Sequence, residues 1–308
     1  MKNNLYICSR QVNGGIYQYQ FNGKKYILKS FTKLNSPMYS IAENDKMHVL
    51  LRAPFEDNDF SGYLSLDICK NGELSNKIQI ITTNGVIACH LCSAFGSIYA
   101  VNYSSGSITE IGERTVVHKG ETQSHTHFVG LTPDKKYLLV TDLGLDKIFI
   151  YDKNLNNVNQ IDMPKNHGVR LLEFFNEYVF SSNELKSTLT LMKYTDKNLE
   201  ILDTISLLPE SASGFSSASA IRVYKDKIFV AIRGLDIISY AEKDGDKLKY
   251  LGSFSCGGKT PRDIIFDENR LIVCNQDSNK VTVFEEINGH FNLIQEINIV
   301  EPISAVVY

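Results

Sequence analysis

The chain has 308 residues, 43% hydrophobic and 22% charged, with 32 basic against 35 acidic side chains and a net charge of −3. This is the make-up of a globular protein with ample core material, and its interspersed, near-balanced charge excludes the clustered basic patch of a nucleic-acid or membrane-surface binder. No apolar run approaches the roughly 18 residues of a spanning helix.

Read from the N-terminus, Met1–Cys8 shows no signal-peptide pattern, so the expected location is the cytoplasm. Six cysteines scattered along the chain fit reduced thiols there. Leu5–Cys8 reads as a strand, Ser9–Gly14 as a turn and Gly15-Ile16-Tyr17 as the next strand. Another strand is centred on Tyr39. A longer turn, from Leu51-Arg52 to Ser61-Gly62, precedes Tyr63–Leu66. Cys89-His90-Leu91-Cys92 follows; on a strand, residues three apart point to opposite faces, so these two sulfurs share neither a metal nor a disulfide. Val101–Gly106 turns into Ser107-Ile108-Thr109. His125-Thr126-His127 sets two imidazoles on one strand face, half of a metal site, but no companion stands at ligand spacing and no metal is expected.

Val140–Asp146 turns into Lys147–Tyr151, Ser182–Ser187 into Thr188–Leu191, and Ala231–Asp236 into Ile237–Tyr240. Gly214-Phe215-Ser216-Ser217-Ala218 looks superficially like a nucleophile elbow, but it is a Ser/Ala-rich loop leading into a strand. The clearest unit runs from Pro261 to about Asn298, with strands at 262–266, 270–275, 281–284 and from 291 onward, joined by Asn/Asp/Gly turns. Ile303–Val307 is a last, solitary strand.

These segments repeat. First strands anchored at Tyr39, His90, His127, Leu171, Ala220, Asp263 and Ser304 divide the chain into seven units of about 44 residues. The C-terminal strand lacks its successors and the N-terminal strands lack a first one, so the two ends complete one unit. Four-stranded units of that size predict an all-β fold, a seven-bladed β-propeller in one domain spanning 1–308. No sustained 3.6-residue period supports an α/β alternative.

In such a fold the entries to the first strands and the turns between second and third strands open on one face. That gathers His90, His125, His127, Arg170 and Arg262 with Asn102, Asp142, Asn183, Glu184, Arg233, Asn275 and Gln276. Cations with a carboxylate and imidazoles suit an anionic, oxygen-rich small molecule, with guanidinium forks gripping carboxylate or phosphate. Neither a P-loop, G-x-G-x-x-G, HExxH nor an EF-hand loop occurs, and no cofactor is expected.

The chain resembles the seven-bladed lactonase family, which includes bacterial 6-phosphogluconolactonases and a fungal carboxymuconate-cyclising enzyme. The resemblance spans nearly the whole chain. It is carried by Ala88-Cys89-His90, Ala100–Ser107, His125-Thr126-His127, Thr132-Pro133-Asp134, Asp142–Lys147, Asn183-Glu184-Leu185, Arg233-Gly234, Gly257–Arg262 and Asn275–Ser278. Leu171, Ala220 and Ile232 stand where the family pattern has His, Glu and Asn. The resemblance implies hydrolysis of a sugar-acid lactone, 6-phosphoglucono-1,5-lactone above all. Glu184, His127, Arg170 and Arg262 are then the catalytic candidates, and His90, His125, Asp142, Asn183, Arg233, Asn275 and Gln276 the substrate-binding ones. A non-catalytic binding propeller and a lactone cyclase or isomerase stay open as readings. The expected state is a monomer or weak dimer.

Overall fold

The computed structural model describes residues 4–52, 59–75 and 79–308. The strands are β1 (Asn4–Ser9), β2 (Gly15–Phe21), β3 (Tyr26–Lys33), β4 (Pro37–Glu43), β5 (Lys46–Leu51), β6 (Gly62–Asp67), β7 (Ile81–Thr82), β8 (Ala88–Ala94), β9 (Ser97–Asn102), β10 (Ser107–Glu110), β11 (Arg114–Val117), β12 (Thr126–Leu131), β13 (Leu138–Asp142) and β14 (Lys147–Tyr151). They continue as β15 (Asn157–Asp162), β16 (Val169–Phe175), β17 (Tyr178–Asn183), β18 (Thr188–Thr195), β19 (Asn198–Ser206), β20 (Ser217–Tyr224), β21 (Lys227–Arg233), β22 (Ile237–Asp244), β23 (Lys247–Ser255), β24 (Pro261–Asp267), β25 (Arg270–Asn275), β26 (Lys280–Ile287), β27 (His290–Asn298) and β28 (Pro302–Val307). No helix occurs among the described residues.

These strands form seven four-stranded sheets in which consecutive strands are neighbours, save that β28 lies beside β1 in the order β28-β1-β2-β3. Leu5 pairs with Val307 and Cys8 with Ser304, so both chain ends complete one sheet. The fold is a seven-bladed β-propeller with four-stranded blades, as the repeat predicts. By compactness the chain falls into two units, Met1–Ala88 with Cys256–Tyr308, and Cys89–Ser255. The first carries the sheets built from β28 and β1–β3, from β4–β7 and from β24–β27. The second carries those of β8–β11, β12–β15, β16–β19 and β20–β23.

Within each sheet, burial follows strand position. Second strands such as β13 and β25 are buried along their length and read as near-continuous apolar runs, Leu138-Leu139-Val140 and Leu271-Ile272-Val273-Cys274. The fourth strand β15 buries only Ile161. In the second unit, Val101, Ile108, Val129, Leu138 and Val140 pack with Tyr99, Phe149 and Tyr151 into one core. Tight hairpins use the residues such turns demand: Asn44-Asp45 and Asn288-Gly289 have φ of 49° and 57°, and of 54° and 82°.

The outer strands run further than the hydrophobic pattern marks. β26 reaches Lys280–Ile287 and β27 His290–Asn298 because the ladder pairing continues through the polar Glu285, Glu286 and Gln295, where the apolar pattern gives no mark. The long turn expected between Arg52 and Ser61 has residues 53–58 outside the described ones.

One irregularity recurs at the start of the first strands. The pairing register slips past Met38, His127, Arg170, Arg262 and Ile303, and past Ser219-Ala220. A bulge of this kind leaves one residue out of the ladder and re-aims its side chain. Three of the residues singled out from sequence, His127, Arg170 and Arg262, occupy these bulges.

Candidate active site

The turns between second and third strands contain a repeated lock. Asn102 donates its amide to Ser107 Oγ at 3.0 Å and Thr109 Oγ1 at 3.1 Å. Asn183 does the same to Thr188 Oγ1 at 3.0 Å and Thr190 Oγ1 at 2.9 Å. Asn275 reaches Thr282 Oγ1 at 2.9 Å and the Cys256 carbonyl at 3.3 Å. All three asparagines are buried, and the threonine stands seven residues downstream each time. Buried amides bonded this way hold the turn. The amide N–H groups of Asn183 and Asn275, two of the residues expected at a substrate, are engaged within and beside their own turns.

Asp142 stands at the corresponding place and is committed more completely. Its Oδ2 accepts hydrogen bonds from Ser124 Oγ and, at 2.8 Å, His118 Nδ1; its Oδ1 accepts the His125 N–H at 2.9 Å and the Leu145 N–H at 3.1 Å. Tyr151 Oη meets His118 Nε2 at 2.9 Å. Burial alone would push the Asp142 carboxyl up, but hydrogen bonds from His118, Ser124 and the His125 backbone outweigh it and hold it below the usual carboxylate range. With 0% exposure and both oxygens taken, Asp142 organises its turn. His118 and Ser124 carry no motif in the sequence; they lie in the connection into β12, outside the turns that repeat.

The residue after the lock differs from sheet to sheet. In the second unit it is Tyr103, Leu143, Glu184 or Arg233, as the pairings Asn102–Ser107, Asp142–Lys147, Asn183–Thr188 and Ile232–Ile237 fix. Glu184 Oε2 lies 2.9 Å from Arg170 Nε and 2.9 Å from Arg233 Nη2. Arg233 Nη2 also donates to Ser217 Oγ at 2.6 Å and the Ala218 carbonyl at 3.3 Å. Two guanidiniums from neighbouring sheets therefore meet on one carboxylate oxygen. Arg170 is 4% exposed, Arg233 13% and Glu184 20%, so the cluster opens to solvent on the Glu184 side. One carboxylate against two guanidiniums leaves one positive charge.

His127 occupies the bulge next to that of Arg170, since β12 and β16 are neighbours. Its ring stands edge-on to Tyr103, centroids 5.7 Å apart, and the same tyrosine stacks on His125 at 4.4 Å. His125 Nδ1 contacts the Tyr103 carbonyl at 3.1 Å. The bulge at His127 interrupts the alternation on which the same-face reading of His125 and His127 rests.

His90 is buried within reach of the charges of Arg222 and Arg170. Burial first, then the charges of Arg222 and Arg170, lower its pKa to about 3, so the ring is neutral. Its Nδ1 accepts the Val129 N–H at 3.4 Å, which favours the tautomer with the proton on Nε2. His90 is therefore suited to donate a hydrogen bond. Glu173 lies near the same arginine: burial pushes its carboxyl up, with Arg222 and the Val223 N–H pulling back. The sequence did not single out Arg222 or Glu173; both sit on first strands among apolar neighbours, where a lone charge has no pattern to mark it.

The sequence profile described as "Lactonase, 7-bladed beta-propeller" matches residues 4–306. The chain belongs to this lactonase family. Among curated relatives, an uncharacterized protein of Staphylococcus aureus (strain bovine RF122 / ET3-1) is 26% identical over 306 residues, 88% of each chain. Among solved structures, a periplasmic gluconolactonase of Pseudomonas aeruginosa superposes with a TM-score of 0.89 at 19% identity, over 100% of this chain and 99% of that one. A putative 6-phosphogluconolactonase of Bacteroides fragilis does so with a TM-score of 0.89 at 21% identity, over 100% and 98%. These likenesses show a shared fold.

Seen in this lactonase fold, the three apolar departures differ in kind. Ile232 takes the place of the turn-locking asparagine, and Ser239, seven residues on, bonds the Leu207 carbonyl instead. Its change touches the scaffold. Ala220 lies in the two-residue bulge of β20 and Leu171 directly after the bulge of β16, both buried. Arg262 and Gln276 are partly buried in the other unit, at a bulge and just after the Asn275 lock.

Proposed function

We propose that this lactonase-family chain opens the lactone ring of an anionic organic acid at the Arg170–Glu184–Arg233 cluster. The observation that carries the reading is the convergence of both guanidiniums on Glu184 Oε2. Ring opening is promoted by hydrogen-bond donors or positive charge at the developing oxyanion, and loss of one such donor typically costs about 10²–10³ in rate. Arg170, nearly dehydrated and fixed by Glu184, supplies that charge. Arg233, tied to Ser217 and the Ala218 carbonyl, holds the anionic end of the substrate. His127, at the adjoining bulge, takes the proton of the attacking water and returns it to the ring oxygen as the acyl C–O bond breaks, leaving carboxylic acid and alcohol; a general base contributes about 10²–10⁴. His90, neutral, donates from Nε2 to a substrate oxygen. Glu184 positions the two arginines.

The first substrate to test is 6-phosphoglucono-1,5-lactone, whose opening is followed by proton release. The reading requires wild type to exceed the buffer rate and Arg170→Ala and His127→Ala to fall toward it. Equal rates in all three, matching buffer, reject it. The buried, apolar Leu171 and Ala220 favour a second reading, a propeller that binds such an acid without opening a lactone. Stabilisation by 6-phosphogluconate with no turnover would select it.

A further inference from the structure

Two exposed apolar side chains stand at this cluster, and the chemistry above uses neither. Leu185 follows Glu184 directly and is 54% exposed; Phe215, at 74%, is the most exposed large apolar residue among those described. Their positions are built. Gly168 has φ of 68°, and a Cβ there would lie 2.6 Å from Leu185 Cγ and 3.3 Å from Leu143 Cγ. Gly234, with φ of 86°, would place one 2.4 Å from the Phe215 carbonyl oxygen and 2.6 Å from its Cδ1. A side chain at either glycine would displace the apolar residue above it. Gly168 precedes Arg170 by two residues and Gly234 follows Arg233, so each arginine has an apolar group fixed beside it.

The loop bearing Phe215 is also tied to the turn bearing Leu185. Ser216 Oγ meets Ser187 Oγ at 3.0 Å, and the Ala218 N–H donates to the Glu184 carbonyl at 3.2 Å. Ser216, the serine of the apparent nucleophile elbow, thus serves to hold Phe215 in place. Exposed apolar side chains fixed beside a concentrated charge offer the apolar part of a charged ligand a surface to cover.

We propose that Leu185 and Phe215 form an apolar flank to the Arg170–Glu184–Arg233 cluster, and that the site takes a lactone carrying one negative charge and an aromatic or alkyl substituent. The proposal rests on the lactone reading and names its substrate class. The single net positive charge of the cluster matches one carboxylate, and the flank matches the substituent.

The test compares 5-oxotetrahydrofuran-3-carboxylate, its 2-phenyl derivative and glucono-1,5-lactone as substrates. Calorimetry of the ring-opened acids of the first two runs in parallel. Wild type is expected to favour the phenyl lactone over the bare one by about ten-fold or more in kcat/KM, the discrimination that such an added apolar group typically gives. Phe215→Ser and Leu185→Ser should each cut that preference several-fold. A preference near one, a preference for the sugar lactone, or a preference that survives both substitutions overturns the proposal. If no lactone is opened but the phenyl acid binds more tightly than the bare acid, in a Phe215-dependent way, the hydrolytic reading falls and the ligand class stands. If neither acid binds and no lactone opens, the proposal is overturned as well.

Discussion

Asp142 and Glu184 are carboxylates in inter-strand turns of adjacent sheets, one residue apart in the repeat, and they do opposite things. Asp142 is sealed from water, and its oxygens are consumed by a hydroxyl, an imidazole and two backbone N–H groups. Glu184 is a fifth exposed and faces two guanidiniums that are themselves nearly dehydrated. The residue at the lock faces its own turn and the connections packed on it, where an unmatched polar atom is costly. The residue after it turns toward the neighbouring sheets, where charge can be collected. A propeller repeats this pair of positions, so one part of the repeat is free to vary in chemistry while the other keeps the turn.

The comparison breaks if exchanging each carboxylate for its amide gives the same outcome. Glu184→Gln is expected to lower kcat/KM for lactone opening by about 10²–10³, because the arginines lose the counter-charge that aims them. Its melting temperature should fall less than that of Asp142→Asn, because water reaches this position and Gln keeps one acceptor for the guanidiniums. Asp142→Asn is expected to do the reverse. It replaces an acceptor by a donor facing other donors, which costs about 2–4 kcal/mol of stability by chemical unfolding. The fraction that folds should retain most of its kcat/KM. A stable, inactive Asp142→Asn protein would place that carboxylate in the chemistry instead.

A third variant sharpens the contrast between charged and uncharged members of the site. His90 has its folded-state pKa lowered from 6.5 to about 3, by burial and by Arg222 and Arg170. Between those values the unfolded chain binds a proton that the folded one does not. Stability is therefore full above pH 6.5 and declines as the pH falls toward 3. Urea unfolding at pH 7 and pH 4.5 should show His90→Gln losing less stability than wild type, by about 2 kcal/mol. An identical loss in both would mean the imidazole titrates normally.

Much of this was legible in the sequence. The spacing of Asn/Asp/Gly turns located every first strand, and the unmatched ends at Leu5–Cys8 and Ile303–Val307 located the closing sheet. The grouping of Arg170, Glu184 and Arg233 followed from that topology. The bulges were not legible, because a one-residue slip leaves no mark where apolar and polar residues are already mixed, as in His127-Phe128-Val129. The locks were not recognised although a signal was present: the threonines at 109, 190 and 282 stand at one fixed offset from their asparagines. His118 was missed because its partner lies 24 residues away in a connection that does not repeat.

The same offset supplies the smallest of the expected effects and a direct check on Ile232. Asn183 links Thr188 and Thr190, and Thr190 continues to Thr204 at 3.0 Å, so the lock spans three strands of one sheet. Removing one end of a buried hydrogen bond leaves the other unmatched, whereas removing both with apolar groups of similar shape is nearly neutral. Asn183→Ala should therefore cost about 1–2 kcal/mol. A cycle with Thr190→Val should show a coupling of about 1 kcal/mol between the two sites. In the sheet of β20–β23 the lock position already holds Ile232, packed without exposure, and Ser239 has found the Leu207 carbonyl. Ile232→Asn should then destabilise by a similar amount, because the new amide would be buried where Ser239 is already engaged. If Ile232→Asn instead raised lactone opening while leaving stability alone, position 232 would belong with Glu184 and Arg233 rather than with the turn-locking asparagines.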